Sequence, residues 1–374
     1  MAIKHKEHFH GSDLEKIEKI YGIKKEEIIS FSANVNPLGI SDKLRSTLAE
    51  RLDVITSYPD REYTSLRNVL AKYCGTIPEN IIVGNGSTEL ISIVIEFRSP
   101  KKAMILSPSY SEYEREVKLV GGDIVYFPLN EKDDFKLRID ELNSALEDDI
   151  DMLIICNPNN PTSTCLKQDE LRKILAKAAQ NDILVMVDET YIEFTETPEL
   201  FEAIPLTREF DNLFIIRGIS KFFASPGLRL GYAITGNLDL INRINEKKNP
   251  WTINSLAEVA GELIFTDTDY INKTRALISG ERKRICKVLD SMSSCGLKYY
   301  EPNANFILCR LDSDEITADT LFEACIKKKL MIRNCSTFKY LDEHYFRFCI
   351  MMPEDNDMLL NVIKENITKN TDLH

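Results

Sequence analysis

The chain has 374 residues, 43% of them hydrophobic, and a formal net charge of −12 at pH 7. Such a length supplies a sizeable core and predicts two domains, while the negative charge argues against nucleic acid and anionic membranes as partners. No apolar run approaches the roughly 20 residues of a membrane span, and the start, Met1-Ala2-Ile3-Lys4-His5-Lys6, lacks the apolar segment of a secretory signal, so we expect a cytoplasmic protein.

Metal-ligand residues are present but do not form a recognisable site. His5, His8 and His10 cluster near the N-terminus, yet no cysteine or carboxylate pattern completes a set of ligands. The nine cysteines are scattered without a C-x-x-C pair, which favours reduced thiols over disulfides or zinc. The sequence therefore predicts no metal centre.

Residues 14–39 begin with a helical pattern and continue into a turn-rich stretch. The apolar residues Leu14, Ile17 and Tyr21 recur at helical spacing. In Phe31-Ser32-Ala33-Asn34-Val35-Asn36-Pro37-Leu38-Gly39, the two asparagine amides can meet a ligand or merely stabilise turns. On these residues alone, turn stabilisation is the better interpretation.

The next motif is a strand that breaks into a glycine-rich turn and then a helix. Ile81-Ile82-Val83 is the predicted strand, and Gly84-Asn85-Gly86-Ser87-Thr88-Glu89 is the turn that follows. Glycines let backbone N–H groups approach a phosphate, and the positive end of the helix dipole favours its charge. Such turns also join strands to helices without any chemical role, so the motif indicates an anion site only together with other evidence.

Three further apolar runs are predicted to be buried strands that end in polar residues. The runs are 103–106, 151–156 and 183–187. Tyr110, after the first, can stack on a planar ring or pack in the core. Asn160, after the second, lies in a proline-rich turn that can hold an amide rigidly. Asp188, after the third, is costly to bury without a partner such as a cationic ring nitrogen, although it can also cap the following segment.

Lys221 follows the apolar run Leu213-Phe214-Ile215-Ile216, which predicts another buried strand. A loop lysine is usually a solvated surface charge, but open α/β sheets bind ligands at the carboxyl ends of their strands. A lysine at that edge can form a Schiff base with an aldehyde, and Arg229 close behind it can neutralise an anion. We therefore interpret Lys221 as the candidate catalytic residue.

Predicted strands alternate with predicted helices up to about residue 260. This alternation predicts an α/β fold with a mainly parallel sheet covered on both faces. A long helical stretch then runs to about residue 292, and a smaller α+β unit follows. Its predicted elements are strands at 305–309, 330–333 and 345–348, a helix near 317–329 and a final helix. Arg333 and Arg347 alternate with apolar neighbours, so neither is expected to be a free surface charge, and structural ion pairs would account for both.

The stretch Ser220-Lys221-x-x-x-x-x-Gly227-x-Arg229-x-Gly231-Tyr232 resembles the cofactor-lysine signature of class I/II, fold-type-I enzymes that use pyridoxal phosphate (PLP). The order of the strand-end motifs resembles the same family from roughly residue 30 to the C-terminus. The resemblance implies a large PLP-binding domain at 41–260 with a seven-stranded type of sheet, and a small domain at 261–374. It further implies an N-terminal segment at 1–40 that packs against the small domain and the active site, and a homodimer with the active site at the subunit interface.

The resemblance assigns cofactor binding to a set of strand-end residues. They are Tyr58, Gly86, Ser87, Thr88, Tyr110, Asn160, Asp188, Tyr191, Ser220, Lys221 and Arg229. Lys221 would carry the cofactor, and Asp188 would keep its pyridine nitrogen protonated. Asn160 and Tyr191 would hydrogen-bond the phenolate oxygen. Ser87, Thr88 and Arg229 would bind the phosphate, while Tyr58 would reach the phosphate of the partner subunit.

Two branches of the family share these motifs. Tyr58-Pro59, Gly84-Asn85-Gly86, Asn159-Asn160-Pro161-Thr162 and Asp188-Glu189-x-Tyr191 resemble histidinol-phosphate aminotransferases. The flanking stretches resemble threonine-phosphate decarboxylases of cobalamin biosynthesis more closely: His10-Gly11, 31–39, Pro250-Trp251-x-x-Asn254 and Ile332-Arg333-x-Cys335. The second resemblance implies decarboxylation of an O-phosphorylated L-amino acid, phosphothreonine or phosphoserine, for the aminoalcohol linker of cobamides.

The decarboxylase resemblance also implies a substrate-binding set: His10, Gly11, Asn34, Asn160, Arg333 and Arg347. Arg347 would bind the α-carboxylate in a bidentate pair, and His10, Gly11, Asn34 and Arg333 would hold the phosphate. A histidinol-phosphate-type aminotransferase is the alternative. A non-catalytic effector-binding module is a remote one, since no helix-turn-helix or basic extension accompanies the domain. The reaction type depends on which Cα bond stands perpendicular to the PLP π-system, and a sequence does not reveal that angle.

Three positions depart from the family pattern. Gly218 stands where a phosphate-binding hydroxyl residue is usual, Ser163 where glycine is usual, and Asp13 where asparagine is usual. We expect Gly218 to remove one hydrogen bond to the cofactor. We expect Asp13 to place a carboxylate near the substrate phosphate and to alter which phosphorylated amino acid is accepted.

Overall fold

The computed structural model describes residues 13–147, 149–313 and 315–368. The α-helices in this part of the chain are α1 (Leu14–Tyr21), α2 (Asp42–Glu50), α3 (Thr64–Cys74), α4 (Gly86–Arg98), α5 (Ser111–Leu119), α6 (Ile139–Ala145), α7 (Gln168–Gln180), α8 (Leu238–Lys247), α9 (Ser255–Ile264), α10 (Thr268–Asp290), α11 (Ala318–Ile326) and α12 (Pro353–Thr368). The β-strands are β1 (Ile29–Ser30), β2 (Ile81–Gly84), β3 (Lys102–Ser107), β4 (Asp123–Pro128), β5 (Met152–Cys156), β6 (Leu184–Asp188), β7 (Leu213–Gly218), β8 (Gly231–Ile234), β9 (Leu297–Tyr299), β10 (Phe306–Leu311), β11 (Leu330–Met331), β12 (Arg333–Asn334) and β13 (Tyr345–Cys349). Within these residues, no helix combines the length and the apolar composition that crossing a membrane requires.

Seven strands form the large sheet, in the order β2-β8-β7-β6-β5-β3-β4. The five strands β3 to β7 pair in parallel, whereas β8 runs antiparallel to both of its neighbours. Every residue of β5, β6 and β7 is buried, as expected for parallel strands that are covered on both faces. The predicted α/β fold with a mainly parallel sheet is confirmed.

Side chains of β5 divide between two apolar cores. Leu153 and Ile155 contribute to one core, whereas Met152, Ile154 and Cys156 contribute to the other. Successive side chains of a strand point to opposite faces, so the two cores lie on the two faces of the large sheet. The central strands therefore need uninterrupted apolar runs, which is why the sequence predicted their ends to within two residues.

Four strands form the small sheet, in the order β12-β13-β10-β9, with antiparallel pairing throughout. The predicted strand at 330–333 is instead two short strands, since β11 pairs with β1 and only β12 joins the small sheet. The predicted helical stretch to about residue 292 is likewise two helices, α9 and α10. They separate because the side chain of Asp267 accepts a hydrogen bond from Tyr270 N and begins a new helix.

The described part of the N-terminal segment lies against the small sheet. β1 pairs in parallel with β11, and Phe31 O accepts a hydrogen bond from Cys349 N at 2.8 Å. This pairing carries residues 32–34 to the edge where the two sheets meet, because Ser32 O contacts Arg347 of the small sheet and Ala33 O contacts Lys221 of the large one. The domain boundaries given above stay a prediction.

Glu131, which follows β4, links the two sheets. Its Oε1 accepts hydrogen bonds from Lys298 Nζ at 3.3 Å, Tyr300 OH at 2.8 Å and Arg310 Nη1 at 3.1 Å. Burial opposes ionisation, but the hydroxyls of Tyr300 and Tyr345 and the charge of Arg310 outweigh it and hold the pKa of Glu131 below its ordinary value. The ionised carboxylate is therefore the form that joins the sheets.

We predict that Glu131→Gln lowers the free energy of unfolding by about 1–2 kcal/mol at pH 7, because the neutral amide holds the three donors less strongly. The folded-state pKa is lowered, so the carboxylate's contribution is present above its unfolded-state pKa and is lost as the pH falls through the folded-state pKa. Urea unfolding from pH 7 down to pH 4 should show the gap between variant and wild type narrowing. The control Glu141→Gln, whose ion pair with Arg138 is exposed, should change stability by less than about 0.5 kcal/mol; equal losses in both variants would contradict the linking role.

Candidate active site

Polar side chains from three neighbouring strands meet at one edge of the large sheet. Asn160 follows β5, Asp188 ends β6 and Lys221 follows β7. These strands are adjacent and parallel, so their carboxyl ends lie side by side. Ligands bind at this edge in open α/β sheets, and the structure brings the three predicted residues together there.

Lys221 is partly buried and its amine contacts the N-terminal segment. Nζ donates a hydrogen bond to Ala33 O at 2.6 Å, and Lys221 O accepts one from Asn36 N at 3.0 Å. Burial, and next the positive charge of Arg347, lower the pKa of the Lys221 amine to about 8. A substantial fraction of the amine is therefore neutral near physiological pH, which is the nucleophilic form.

Asp188 is a buried carboxylate held by neutral donors. Its Oδ2 accepts from Tyr113 OH at 2.7 Å, and its Oδ1 accepts from Thr190 N at 2.9 Å and Thr190 Oγ1 at 2.6 Å. Burial raises the pKa of Asp188, and these hydrogen bonds oppose the rise. Among the described residues no cation pairs with it, so the carboxylate suits a positively charged ligand atom. The hydrogen bonds to Thr190 also agree with the other interpretation of Asp188, in which its side chain caps the segment that follows β6.

Tyr113 is a functional neighbour that the sequence reasoning missed. It lies on α5, three residues after Tyr110, and the two rings meet edge to face with centroids 5.6 Å apart. Its ring is buried among apolar side chains, so its sequence position indicates ordinary core packing. The spacing of three from Tyr110 was the only signal that both residues share one helix face.

The first turn of α4 and Arg229 lie together and form a candidate anion site, called the anion cradle below. The guanidinium of Arg229 donates to Asn85 O at 3.3 Å, and a Cβ at Gly86 would stand 2.2 Å from Arg229 Nη2. Gly86 also has φ 77°, a left-handed conformation that favours glycine. Ser87 and Thr88 follow at the positive end of the helix dipole. The glycine-rich turn and Arg229, the two motifs predicted to bind an anion, are therefore in contact with each other.

Two further glycines shape this cradle. A Cβ at Gly231 would lie 2.5 Å from both Gly86 C and Ser87 N, so only glycine lets β8 approach the start of α4. A Cβ at Gly218 would make only ordinary contact, 3.6 Å from Ser87 Cβ. A side chain at position 218 would thus fit beside Ser87, and this chain has none there.

Arg347 is a buried cation with neutral partners. It is 5% exposed; Nη1 donates to Asn160 Oδ1 and Nη2 donates to Ser32 O at 2.8 Å, while Nε has no partner within the described ranges. Its guanidinium lies over the Phe306 ring at 5.2 Å. Among the described residues no carboxylate pairs with it, so the ion-pair alternative does not account for Arg347. Such a group is suited to bind an anion.

Arg333 stands beside Arg347 in the small sheet. The two residues are directly opposite in the β12–β13 register, so their side chains project from the same face. Arg333 Nη2 donates to Thr337 Oγ1 at 3.2 Å, and its guanidinium lies over the Phe338 ring at 5.4 Å. Burial lowers the pKa of Arg333, with a further lowering from Arg347, while Cys335 and Asp13 act in the opposite sense. Two neighbouring cations in this setting favour a ligand with more than one negative charge.

Asn34 and Tyr191 complete the inner wall. Asn34 is buried with φ 56°, and its Nδ2 donates to Tyr191 OH at 3.3 Å, while its Oδ1 lacks a partner in the part of the chain that the structure describes. Asn305 Nδ2 donates to Asn34 O at 3.0 Å, and the Tyr191 ring meets Phe306 edge to face. The structure therefore brings Asn34, predicted only through the resemblance, into the cluster.

Of the remaining predicted residues, some lie next to the cluster and others do not. Tyr110 and Ser220 are partly buried next to the cluster, at the start of α5 and immediately before Lys221. Tyr58 is 82% exposed and its ring contacts Trp251 at 5.1 Å, so a single chain does not bring it into the cluster. His10 and Gly11 lie outside the described residues.

Comparison with known proteins identifies the class. Residues 26–363 match the family described as aminotransferase class I and II. The chain belongs to this family and is a PLP-dependent enzyme of fold type I. The class is thus fixed by the whole fold as well as by the cluster around Lys221.

Individual relatives fall in two groups. The chain is 40% identical over 332 residues to a protein of Caldanaerobacter subterraneus subsp. tengcongensis that is provisionally named a threonine-phosphate decarboxylase, covering 89% of this chain and 88% of the relative. It is 31% identical to the threonine-phosphate decarboxylase of Salmonella typhimurium, covering 96% of each. It also resembles the crystal structure of the histidinol-phosphate aminotransferase from Clostridium acetobutylicum, with a TM-score of 0.85 and 33% identity over 91% of this chain and 99% of that one.

We predict that Gly231→Ala disrupts the anion cradle. The added Cβ would meet backbone atoms of α4 at 2.5 Å, so the helix start must move, at a cost of about 2–4 kcal/mol in the free energy of unfolding. Affinity for PLP should fall at least about tenfold, since the N–H donors move with the helix. Urea unfolding and PLP titration measure the two effects.

Gly227→Ala is the matched control for this prediction. It lies in the same segment, and a Cβ there meets no atom within 4 Å. Its stability and PLP affinity should equal those of the wild type. A Gly231→Ala protein with wild-type affinity for PLP would contradict the assignment of the cradle.

Proposed function

We propose that this enzyme decarboxylates a small O-phosphorylated L-amino acid, L-threonine O-3-phosphate first and L-serine O-phosphate second. The observation that carries the proposal is the pair formed by Arg333 and Arg347, directly opposite each other on β12 and β13. Like charges so placed repel, and a substrate that bears both a phosphate and a carboxylate would neutralise both. The 40% identity to the Caldanaerobacter relative supports the decarboxylase branch.

A histidinol-phosphate-type aminotransferase is the second candidate. The TM-score of 0.85 to the Clostridium acetobutylicum enzyme supports it. Both candidates would use the same cofactor and the same lysine. They differ in the bond that breaks: decarboxylation breaks the bond from Cα to the carboxylate, whereas transamination breaks the Cα–H bond.

Several features of the chain fit bound PLP. The Asp188 carboxylate, buried with neutral donors only, suits a protonated pyridine nitrogen. Arg229 and the first turn of α4 suit a phosphate, and the open space at Gly218 implies one donor fewer to it. Bound PLP would supply an electron-accepting ring that stabilises negative charge at the substrate Cα.

The other cofactor contacts are proposed by position. Lys221 would hold PLP covalently, Tyr110 would stack on the ring, and Ser220 would join Ser87 and Thr88 at the phosphate. Asn160 and Tyr191 would bind the phenolic oxygen. These assignments rest on the clustering of the residues at one sheet edge together with the family membership.

The substrate would be fixed at both ends. Arg347, held by Asn160 and Ser32 O and stacked on Phe306, would set the direction of the α-carboxylate. Arg333, with Asn34 and the N-terminal His10 and Gly11, would hold the phosphate. After carbon dioxide leaves, Cα needs a proton, and the Lys221 amine with its pKa of about 8 can deliver one at neutral pH.

We also propose a homodimer in which Tyr58 reaches the cofactor phosphate of the partner subunit. Tyr58 is 82% exposed and rests on Trp251, so its hydroxyl is available to a second copy. The family membership supports the same assembly.

One incubation separates the two candidate reactions. The PLP-loaded enzyme is mixed with O-phospho-L-threonine, O-phospho-L-serine or, with 2-oxoglutarate, histidinol phosphate. Carbon dioxide and glutamate are then measured. Carbon dioxide formed without a keto acid supports the decarboxylase and ranks its substrates, whereas glutamate without carbon dioxide selects the aminotransferase.

We predict that Lys221→Ala carries no covalent cofactor. Wild-type protein treated with PLP and borohydride should yield a modified Lys221 peptide in mass spectrometry, and the variant should yield none. Lys118→Ala, at an exposed lysine paired with Glu114, is the control and should retain the Lys221 adduct. A covalently loaded Lys221→Ala protein would contradict the assignment.

The rate at which PLP attaches to the cofactor-free enzyme should rise with pH around a midpoint of about 8. The pKa of Lys221 is lowered from its ordinary value, so the neutral, reactive amine grows from about a tenth at pH 7 to about nine tenths at pH 9. Arg347→Gln removes a charge that lowers this pKa, and its midpoint should lie higher. Stopped-flow absorbance at each pH gives the midpoint; a rate independent of pH between 7 and 9 would contradict this pKa.

Arg333→Ala and Arg347→Ala should separate the two anionic groups of the substrate. Arg333→Ala should weaken the binding of O-phospho-L-threonine roughly 10- to 150-fold and that of L-threonine little, because only the phosphate loses a charged partner. The second should weaken both ligands, because both carry the carboxylate. With PLP-loaded enzyme, the KM of O-phospho-L-threonine and the inhibition constant of L-threonine test this, and equal losses with Arg333→Ala would exclude a phosphate role for Arg333.

A further inference from the structure

Ser163 occupies a backbone conformation that serine rarely adopts. It lies in the turn between β5 and α7, is fully buried and has φ 62°. A Cβ in this left-handed region crowds the backbone, so glycine is the usual residue there. Some other interaction must offset the strain.

The side chain of Ser163 makes that interaction, and it reaches across to the small sheet. Its Oγ accepts hydrogen bonds from Asn303 N at 2.9 Å and Ala304 N at 2.8 Å. Its carbonyl oxygen accepts from Asn303 Nδ2 at 3.1 Å and Asn303 N at 3.2 Å. A glycine could supply the carbonyl contacts but not the hydroxyl, and without it the buried N–H of Ala304 loses its partner.

On the large-sheet side, Ser163 closes the turn that carries Asn160. Ser163 N donates to Asn159 O at 2.7 Å, and Asn159 N donates to Thr164 O at 2.9 Å. Asn160 lies inside this closed turn, where its Oδ1 accepts a hydrogen bond from Arg347 Nη1. The position of the Asn160 amide therefore depends on how the turn is anchored.

On the small-sheet side, residues 303–304 lead directly into the wall of the site. Asn305 donates to Asn34 O. Phe306 begins β10 and lies under the guanidinium of Arg347. The hydroxyl of Ser163 thus ties the turn that holds Asn160 to the strand that supports Arg347.

We propose that Ser163 is a positioning residue that sets the placement of Asn160 relative to Arg347, and through them the direction of a bound α-carboxylate. The inference deepens the proposed function, because it concerns the carboxylate subsite described there. In the proposed phosphate subsite, Arg333 lies on a different strand, β12, and Asn34 meets this connection through its backbone carbonyl rather than its side-chain amide.

Two variants separate the hydroxyl from the backbone strain. Ser163→Ala removes the hydroxyl and keeps a Cβ at positive φ, whereas Ser163→Gly removes the hydroxyl and relieves the strain. Ser163→Ala should therefore have the lower melting temperature. Because both lose the same two hydrogen bonds, both should bind a carboxylate-bearing ligand about tenfold more weakly.

The matched control is Ser99→Gly. Ser99 also has a left-handed φ, 44°, but it is exposed at the end of α4. This change relieves the same kind of strain without touching the site. Its ligand binding should equal that of the wild type.

The probes are O-phospho-L-threonine and 1-aminopropan-2-yl phosphate, which lacks only the carboxylate. Steady-state kinetics with PLP-loaded wild type and both Ser163 variants give, for each protein, kcat/KM for O-phospho-L-threonine, which the proposed activity consumes, and the inhibition constant of 1-aminopropan-2-yl phosphate. The proposal predicts that both Ser163 variants lose about tenfold for the first probe and less than twofold for the second. This selective loss should be the same in the two variants although their melting temperatures differ.

Three outcomes would overturn the inference. Equal losses for both probes, or losses that follow the melting temperature, would reduce Ser163 to a stabilising residue. Wild-type affinity in Ser163→Gly would mean that the hydroxyl does not position the subsite. If wild-type enzyme itself binds neither probe, the proposed function fails instead, and the two failures are distinguishable.

Discussion

Arg347 is a buried guanidinium that pairs with no carboxylate among the described residues, and the rest of the site is arranged around it. Burying a cation is expensive unless its donors are satisfied. Here Nη1 and Nη2 donate to a side-chain amide and a backbone carbonyl and the face lies over an aromatic ring, whereas Nε has no partner among the described residues. Burial lowers the pKa of the Lys221 amine and of Arg333, and the positive charge of Arg347 lowers both further. An anionic ligand would oppose this effect of Arg347 on both groups.

The parts of the fold that could be predicted from sequence are those that burial dictates locally. The strands β5, β6 and β7 are buried on both faces, so each needs an uninterrupted apolar run, and each run ends where a polar residue enters the site. Asn160, Asp188 and Lys221 were found for that reason. The glycine turn at the start of α4 could also be predicted, because a backbone that approaches another group closely has to carry glycine. Arg229 was found by its position shortly after Lys221.

The parts that could not be predicted depend on contacts between distant residues. The strand expected at 330–333 divides because β11 pairs with residues 29–30, some 300 positions away. Tyr113 has the apolar surroundings of a core residue, and only the fold places its hydroxyl against Asp188. Ser163 stood out in the sequence only as a departure from glycine, and the reason for it lies in hydrogen bonds to residues 303–304. Residue identity alone carries none of this information.

Both candidate reactions would use the same cofactor and the same lysine, so for a substrate with an α-carboxylate the bond that breaks depends on placement. In the proposed site the groups that would orient the carboxylate come from both sheets, Asn160 from the large one and Arg347 from the small one. Their separation is set where the sheets are joined, at Glu131 and at Ser163. The angle of the α-carboxylate decides which Cα bond lies perpendicular to the cofactor ring. In the proposed site, a change at either joint would therefore redirect the α-carboxylate without replacing a residue that touches the reacting atoms.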